Sequence, residues 1–327
     1  MLSFEDFRGQ SAHIAQLHGD FERHAFVHAY LLSGPRGTGK KSVARLCAMA
    51  AVCKAEKKPC GQCGPCRRVL SDTHPDVHTV VPEKGKKSIS IDVVRDMIAE
   101  VSVKSFEGTT KALLIPDAEL MTAAAQNCLL KTLEEPPQDT VFFLITDKPG
   151  MLLPTIVSRC RVIRFHPLST EDCEKRLEAL GVPPHAARRR ARMAEGCVGQ
   201  ALEIDDARLD LLMALTADVF SVRRPGDVPA AVNKYKDDKE HHRQIMDLLD
   251  GAVRDILVAQ AGGQGLEDSG YAQAAIDFAR AVPLSGGLAL SRQVTKARMM
   301  IGSNVSFQSA FESVLMTISE EYTKWPW

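Results

Sequence analysis
The chain carries no net charge: its 41 Lys and Arg balance 41 Asp and Glu. Bulk attraction to nucleic acid is thereby excluded, though a local basic face is not. No charged-then-apolar leader follows Met1, and no apolar run is long enough to span a bilayer. The expectation is a cytoplasmic chain with no membrane partner. Internal repeats and low-complexity tracts are also missing. What remains is an ordinary globular composition, 45% hydrophobic over 327 residues, long enough for two or three domains.

Up to Phe165 strands and helices alternate. Ala29–Ser33, Lys111–Ile115 and residues 141–145 are short apolar runs, as in parallel strands covered on both faces. Residues 42–52, 91–103 and 121–133 carry apolar side chains at helical spacing, and 161–165 alternates as a further strand. The expected fold class is α/β, a parallel sheet over residues 1–166. Beyond it the periodicity is helical: a small domain over 167–207, then an all-α domain over 208–327 with breaks at 223–226 and 261–265.

Gly34-Pro-Arg-Gly-Thr-Gly-Lys-Lys-Ser42 joins the first strand to its helix. Gly34, Gly37 and Gly39 allow backbone amides to turn inward around phosphate oxygens, and the helix N-terminus adds a favourable dipole. Lys40 would meet the outer phosphates of ATP or ADP. For catalysis the loop is damaged. The position after that lysine needs Ser or Thr to hold Mg2+, and here it is Lys41. Ser42 comes one residue late, about 100° further round the helix. The acidic element is altered too, because Pro116-Asp117-Ala118-Glu119 follows the strand at 111–115. Either Pro116 replaces the metal aspartate and Asp117 stands for the catalytic acid, or Asp117 is the metal aspartate and Ala118 replaces the acid. Both readings lack one carboxylate. A bound ATP or ADP and an empty relic both stand, while Mg2+ and efficient hydrolysis are disfavoured.

Cys53, Cys60, Cys63 and Cys66 form two overlapping Cys-x-x-Cys units plus one nearby cysteine. Four thiolates make a closed, structural Zn2+ site; an iron–sulfur cluster is the second choice, and disulfides fit a cytoplasmic chain poorly. His74 and His78 lie close in sequence but read as surface or packing residues. Cys47, Cys128, Cys160, Cys173 and Cys197 are isolated and read as small buried side chains.

Two more stretches complete the pattern. Asn127-Cys-Leu-Leu-Lys-Thr-Leu-Glu-Glu-Pro-Pro137 is a helix stopped by a double proline, and Leu153-Pro-Thr-Ile-Val-Ser-Arg-Cys160 ends just before a strand. Arg159 on such a loop end can reach a neighbouring subunit's phosphate site. The plainer reading is an arginine that caps the strand beside a local carboxylate.

In this order, phosphate loop, cysteine module, Leu-Glu-Glu-Pro-Pro helix and Ser-Arg-Cys, the sequence resembles bacterial clamp-loader subunits of the AAA+ superfamily over residues 4–205. Phe7-Arg-Gly-Gln10 resembles the family's segment near the adenine pocket. Asn304-Val305 and the following helix resemble its C-terminal collar more loosely. The resemblance implies an AAA+ P-loop domain, a helical lid at 167–207 and an oligomerising collar at 208–327. It implies five subunits in an open ring, with gamma or tau motor subunits and a delta subunit as neighbours, and a beta sliding clamp loaded on primer–template DNA. With its damaged loop the chain matches the non-hydrolysing type of subunit, and Arg159 would enter a neighbour's ATP site as an arginine finger in trans. Thr146 stands where relatives place a phosphate-sensing polar residue, and Gln200 after Gly199 where active relatives carry an arginine. The run Arg188-Arg-Arg-Ala-Arg192 reads as a solvated helix face before it reads as a DNA contact. Two alternatives remain: an active motor subunit, and a zinc-dependent nucleic-acid binding module with no ring.

Overall fold
The computed structural model describes residues 3–107, 110–239, 241–263, 266–268, 270–302 and 305–325, with side chains undescribed at 8–12, 268 and 302. Asn304 and the side chains of Arg8 and Gln10, named in the resemblance above, therefore lie outside the described residues.

Five strands, β1 (Ala29–Ser33), β2 (Val77–Thr79), β3 (Lys111–Ile115), β4 (Thr140–Thr146) and β5 (Arg161–Arg164), form one parallel sheet in the order β2-β3-β4-β1-β5. The expected α/β class is what the chain adopts. Every residue of β1, β3 and β4 is buried. Side chains alternate between two cores, as the period of two demands. Tyr30, Leu32, Leu114 and Phe143 face one core, which α1 (Ser11–Glu22), α2 (Lys40–Val52) and α3 (Gly64–Leu70) cover. Leu31, Leu113, Phe142 and Leu144 face the other, covered by α4 (Ile91–Ser102), α5 (Ala123–Glu134) and α6 (Pro154–Val157).

Local chemistry sets the helix ends. Thr122 opens α5 by accepting from the Ala125 N–H at 3.2 Å, which satisfies one of the first-turn donors. Pro136 then closes it, because the residue before a proline is pushed out of the helical region; Glu135 sits at φ −124°, ψ 71°. α2 begins at Lys40, ahead of the apolar spacing that marks the rest of the helix, since Lys40 and Lys41 add nothing to that spacing.

Two buried charges pin the edge of the sheet. The Lys111 ammonium donates to the carbonyls of Glu100 at 2.7 Å and Val103 at 2.5 Å, where the α4 dipole presents its negative end. Asp76, 1% exposed, accepts from the backbone N–H of Phe106 at 2.6 Å and Glu107 at 2.9 Å.

The chain packs as two units, residues 1–172 with 196–200, and residues 173–195 with 201–327. The stretch 167–207 is divided between them. Its helices are α7 (Thr170–Ala179), α8 (Pro184–Met193) and α9 (Val198–Glu203). They are followed by α10 (Asp206–Phe220), α11 (Val228–Tyr235), α12 (His242–Gln260), α13 (Gln273–Ala281), α14 (Leu284–Gly302) and α15 (Phe307–Lys324). The second unit's core brings together Phe220, Phe278 and Tyr322, tilted and edge-to-face, with successive ring centroids 5.1 Å apart. Arg298 ties α14 to Asp247 and Asp250 of α12, at 2.7 Å each. In the basic run on α8, Arg190 is turned onto Asp206 at 3.0 Å. Among the described residues no helix is long and apolar enough to cross a membrane.

Asp76→Ala leaves two backbone donors without their acceptor. A loss of about 2–3 kcal/mol is expected, read by urea unfolding; an unchanged midpoint would show that the carboxylate does not hold this loop.

Candidate functional site
β1 lies between β4 and β5, so the loops leaving the carboxyl ends of β1, β3 and β4 meet at one edge of the sheet, the place where open α/β sheets bind ligands. The loop after β1 turns through Gly34 at φ +143°, where a Cβ would stand 2.2 Å from the Phe165 carbonyl oxygen. Gly37, at φ +76°, would bring a Cβ within 2.6 Å of the Gln200 nitrogen. Only glycine fits these two close approaches. Phe7, of the segment expected near an adenine pocket, lays its ring against Gly39.

Several of the loop's polar groups are partnered within the chain. The buried Lys40 ammonium donates to the carbonyls of Gly34 at 2.5 Å and Pro35 at 2.6 Å. Burial lowers its pKa against the pull of Asp147, Glu119 and Asp117. The Gly199 N–H donates to the Gly37 carbonyl at 2.8 Å, and the Gln200 side chain donates to the Arg36 carbonyl at 3.0 Å. Lys41 reaches across to Asp117, Nζ to Oδ2 at 2.9 Å. Ser42 is half-buried on the next position of α2. Pro116 is buried as a continuation of β3, while Asp117, at φ 53° and ψ 49°, turns its carboxylate toward the loop.

Thr146, at the end of β4 and 1% exposed, donates to Glu119 Oε2 at 2.6 Å and accepts from the Lys148 N–H at 2.9 Å. Burial raises Glu119 above the usual glutamate range; the Thr146 hydroxyl pulls against this and Asp147 adds to it. Burial also works upward on Asp147, but the Glu119 carboxyl and the charges of Lys148 and Lys40 hold it low. Of the two carboxyls, Glu119 is pushed toward its neutral form and Asp147 toward its charged form.

Arg159 follows α6, half-buried, with its guanidinium on Glu134: Nη2 to Oε1 is 2.6 Å. Its Nη1 donates to the Thr155 carbonyl at 3.0 Å. The local-carboxylate contact considered above is thus present in the single chain.

The four cysteines come together. The sulfurs of Cys53, Cys60, Cys63 and Cys66 all lie within 4.8 Å of one another, and those of Cys53 and Cys63 are 3.9 Å apart. A tetrahedral thiolate-bound ion with 2.3 Å bonds needs sulfurs about 3.8 Å apart, so the donor set fits Zn2+. Backbone N–H groups point at the sulfurs, Cys60 N to Cys53 Sγ at 3.5 Å and Cys63 N to Cys60 Sγ at 3.3 Å. Hydrogen bonds from the Gln62 and Cys63 amides bring the Cys60 thiol down to about 6, and burial pushes Cys53 and Cys66 up. The cluster could hold a metal ion. His74 is buried and accepts from the Asp76 N–H at 3.1 Å, and His78 faces Glu100 at 3.1 Å, so neither joins it. Cys47, Cys160, Cys173 and Cys197 are buried as expected, and Cys128 is half-buried.

A family model described as DNA polymerase III, delta subunit, matches residues 9–169. The DNA polymerase III subunit delta' of Bacillus subtilis is 33% identical over 93% of this chain and 94% of its own length. The chain belongs to the DNA polymerase III delta' family. It is also similar to the tau subunit of Bacillus subtilis, 30% identical over 71% of this chain and 41% of that one. A gamma subunit-related protein of Thermotoga maritima has a solved structure that covers 94% of this chain and 99% of its own, at 17% identity and a TM-score of 0.43.

For this delta' family member, sequence reasoning missed Glu119, Asp147 and Glu134. Asp147 follows Thr146 directly and could have been weighed with it. Glu119 and Glu134 lie in stretches that the sequence marks, but their partners, 27 and 25 residues away, are not legible from it.

Two measurements test this geometry. Cys60→Ser is expected to lose the bound ion and at least about 2 kcal/mol of stability; full metal content and an unchanged thermal midpoint would remove the four-thiolate centre. Glu119 titrates above its free value of 4.5 in the folded chain, so its contribution to stability is complete below that value and is lost as pH rises through the folded pKa. Glu119→Gln keeps both hydrogen-bonding ends and has no proton to lose. Its stability should therefore fall less than that of wild type between pH 4.5 and neutrality; parallel curves would contradict the raised Glu119 pKa.

Proposed function
We propose that this chain is the stator-like delta' member of the DNA polymerase III clamp loader, not an ATPase by itself, and that Arg159 serves the ATP site of a neighbouring gamma or tau motor subunit. As a delta' family member it is a component of the DNA polymerase III holoenzyme. In the proposed ring, gamma or tau and delta subunits join it through the collar at 208–327, beyond the P-loop domain at 1–166 and the lid at 167–207. The assembled loader sets the beta sliding clamp on primer–template DNA in the cytoplasm.

One observation carries the non-hydrolysing reading. Lys41 and Asp117, the positions a working site uses around Mg2+, are paired with each other at 2.9 Å. An ammonium cannot be a metal ligand, and its charge repels a divalent cation. A nucleotide at this loop would rest on the backbone N–H groups of residues 36–39 and on Lys40, without Mg2+. Zn2+ held by the four cysteines is structural, since four thiolates leave no open position. The likeness to tau favours the motor reading, and the Lys41–Asp117 pair opposes it.

Arg159 sits at the surface, where a neighbour's phosphates can reach it. An arginine supplied in trans stabilises charge on the transferring phosphoryl group and is worth about 10³–10⁵ in rate at the site it serves. The test is ATP turnover by the reconstituted clamp loader with Arg159→Ala. Clamp- and DNA-stimulated turnover should fall while the ring still assembles. Wild-type turnover from the variant complex would end the trans-acting reading.

A further inference from the structure
Glu134 is the last residue of α5. A helix C-terminus is the negative end of its dipole, so an anion is disfavoured there, and here Glu135 follows directly as the helix cap. Helix stability therefore does not account for this pair of carboxylates. Glu134 has a different partner: its Oε1 lies 2.6 Å from Arg159 Nη2. On another side, Arg159 Nη1 donates to the Thr155 carbonyl at 3.0 Å, with Ser158 Oγ at 3.5 Å. The guanidinium is thus held by two elements at once, the end of α5 and the short helix α6. Both ends are stiff. Pro136 fixes where α5 stops, and Pro154 starts α6.

Building on the trans-acting reading of Arg159, we propose that Glu134 is a positioning residue, which orients the Arg159 guanidinium for the neighbouring subunit's phosphate. A free arginine samples many rotamers, and each must be given up when it docks. Held at Nη2 and Nη1, Arg159 loses that freedom before the partner arrives, and its five N–H donors leave others to face a phosphate. The Glu134 and Arg159 side chains are 49% and 34% exposed. Solvent screening keeps such a pair weak, so it orients the guanidinium without locking it away from a more highly charged phosphate chain. Removing the charge of Glu134 should therefore act on the chemical step and not on ATP binding.

The test uses the reconstituted clamp loader containing Glu134→Gln, Arg159→Ala or both. With Glu134→Gln, the kcat for clamp- and DNA-stimulated ATP turnover should fall by about tenfold, the scale of a misplaced catalytic contact, with KM for ATP unchanged. In the Arg159→Ala background, Glu134→Gln should cause no further loss, because there is no guanidinium left to place. Wild-type or faster turnover with Glu134→Gln, when Arg159→Ala is slow, would overturn the role of Glu134 and leave that of Arg159 intact. An equal further loss on top of Arg159→Ala would show a merely structural glutamate and overturn it as well. Wild-type turnover with Arg159→Ala would overturn both readings together.

Discussion
Burial of β1, β3 and β4 along their whole length is the constraint on which the first unit depends. Their side chains are apolar on both faces, apart from residues at the strand ends, so ionisable groups have nowhere to go but the loops. The parallel register, with Leu31 opposite Leu144 and Leu113 opposite Phe142, sends alternate side chains to opposite cores. A slip of one residue would exchange the two faces. That register brings the loop of residues 34–39, the Asp117–Glu119 turn and the Thr146–Asp147 strand end to one edge.

At that edge several polar groups are paired inside the chain. Lys40 is folded onto its own loop carbonyls, Gln200 donates to the Arg36 carbonyl, and Lys41 and Asp117 neutralise each other. The Thr146 hydroxyl donates to Glu119. Arg159 contrasts with this. Its half-buried guanidinium rests on Glu134, a pair that solvent screening keeps weak.

Much of this was legible in the sequence. The three buried strands announce themselves as continuous apolar runs, and the four cysteines by their spacing. The loss of Ser or Thr at position 41 is a one-residue fact. β2 was not legible: Val-His-Thr has no apolar run, and its strand character comes from pairing Val77, His78 and Thr79 with Ala112, Leu113 and Leu114. The destination of Lys41 was also hidden, since Asp117 lies 76 residues away. Glu119 and Glu134 were hidden for the same reason, each becoming informative only when the fold supplies Thr146 or Arg159. Spacing along a helix or a metal motif is local and readable; charge pairing across the edge of a sheet is not.

The most direct test of the account titrates ATP into the isolated chain with and without Mg2+. If Lys41 stands in the metal's place, magnesium adds nothing to whatever affinity the loop has, and no phosphate is released. Binding at least tenfold tighter with Mg2+, accompanied by steady hydrolysis, would contradict the account and make this chain a motor subunit.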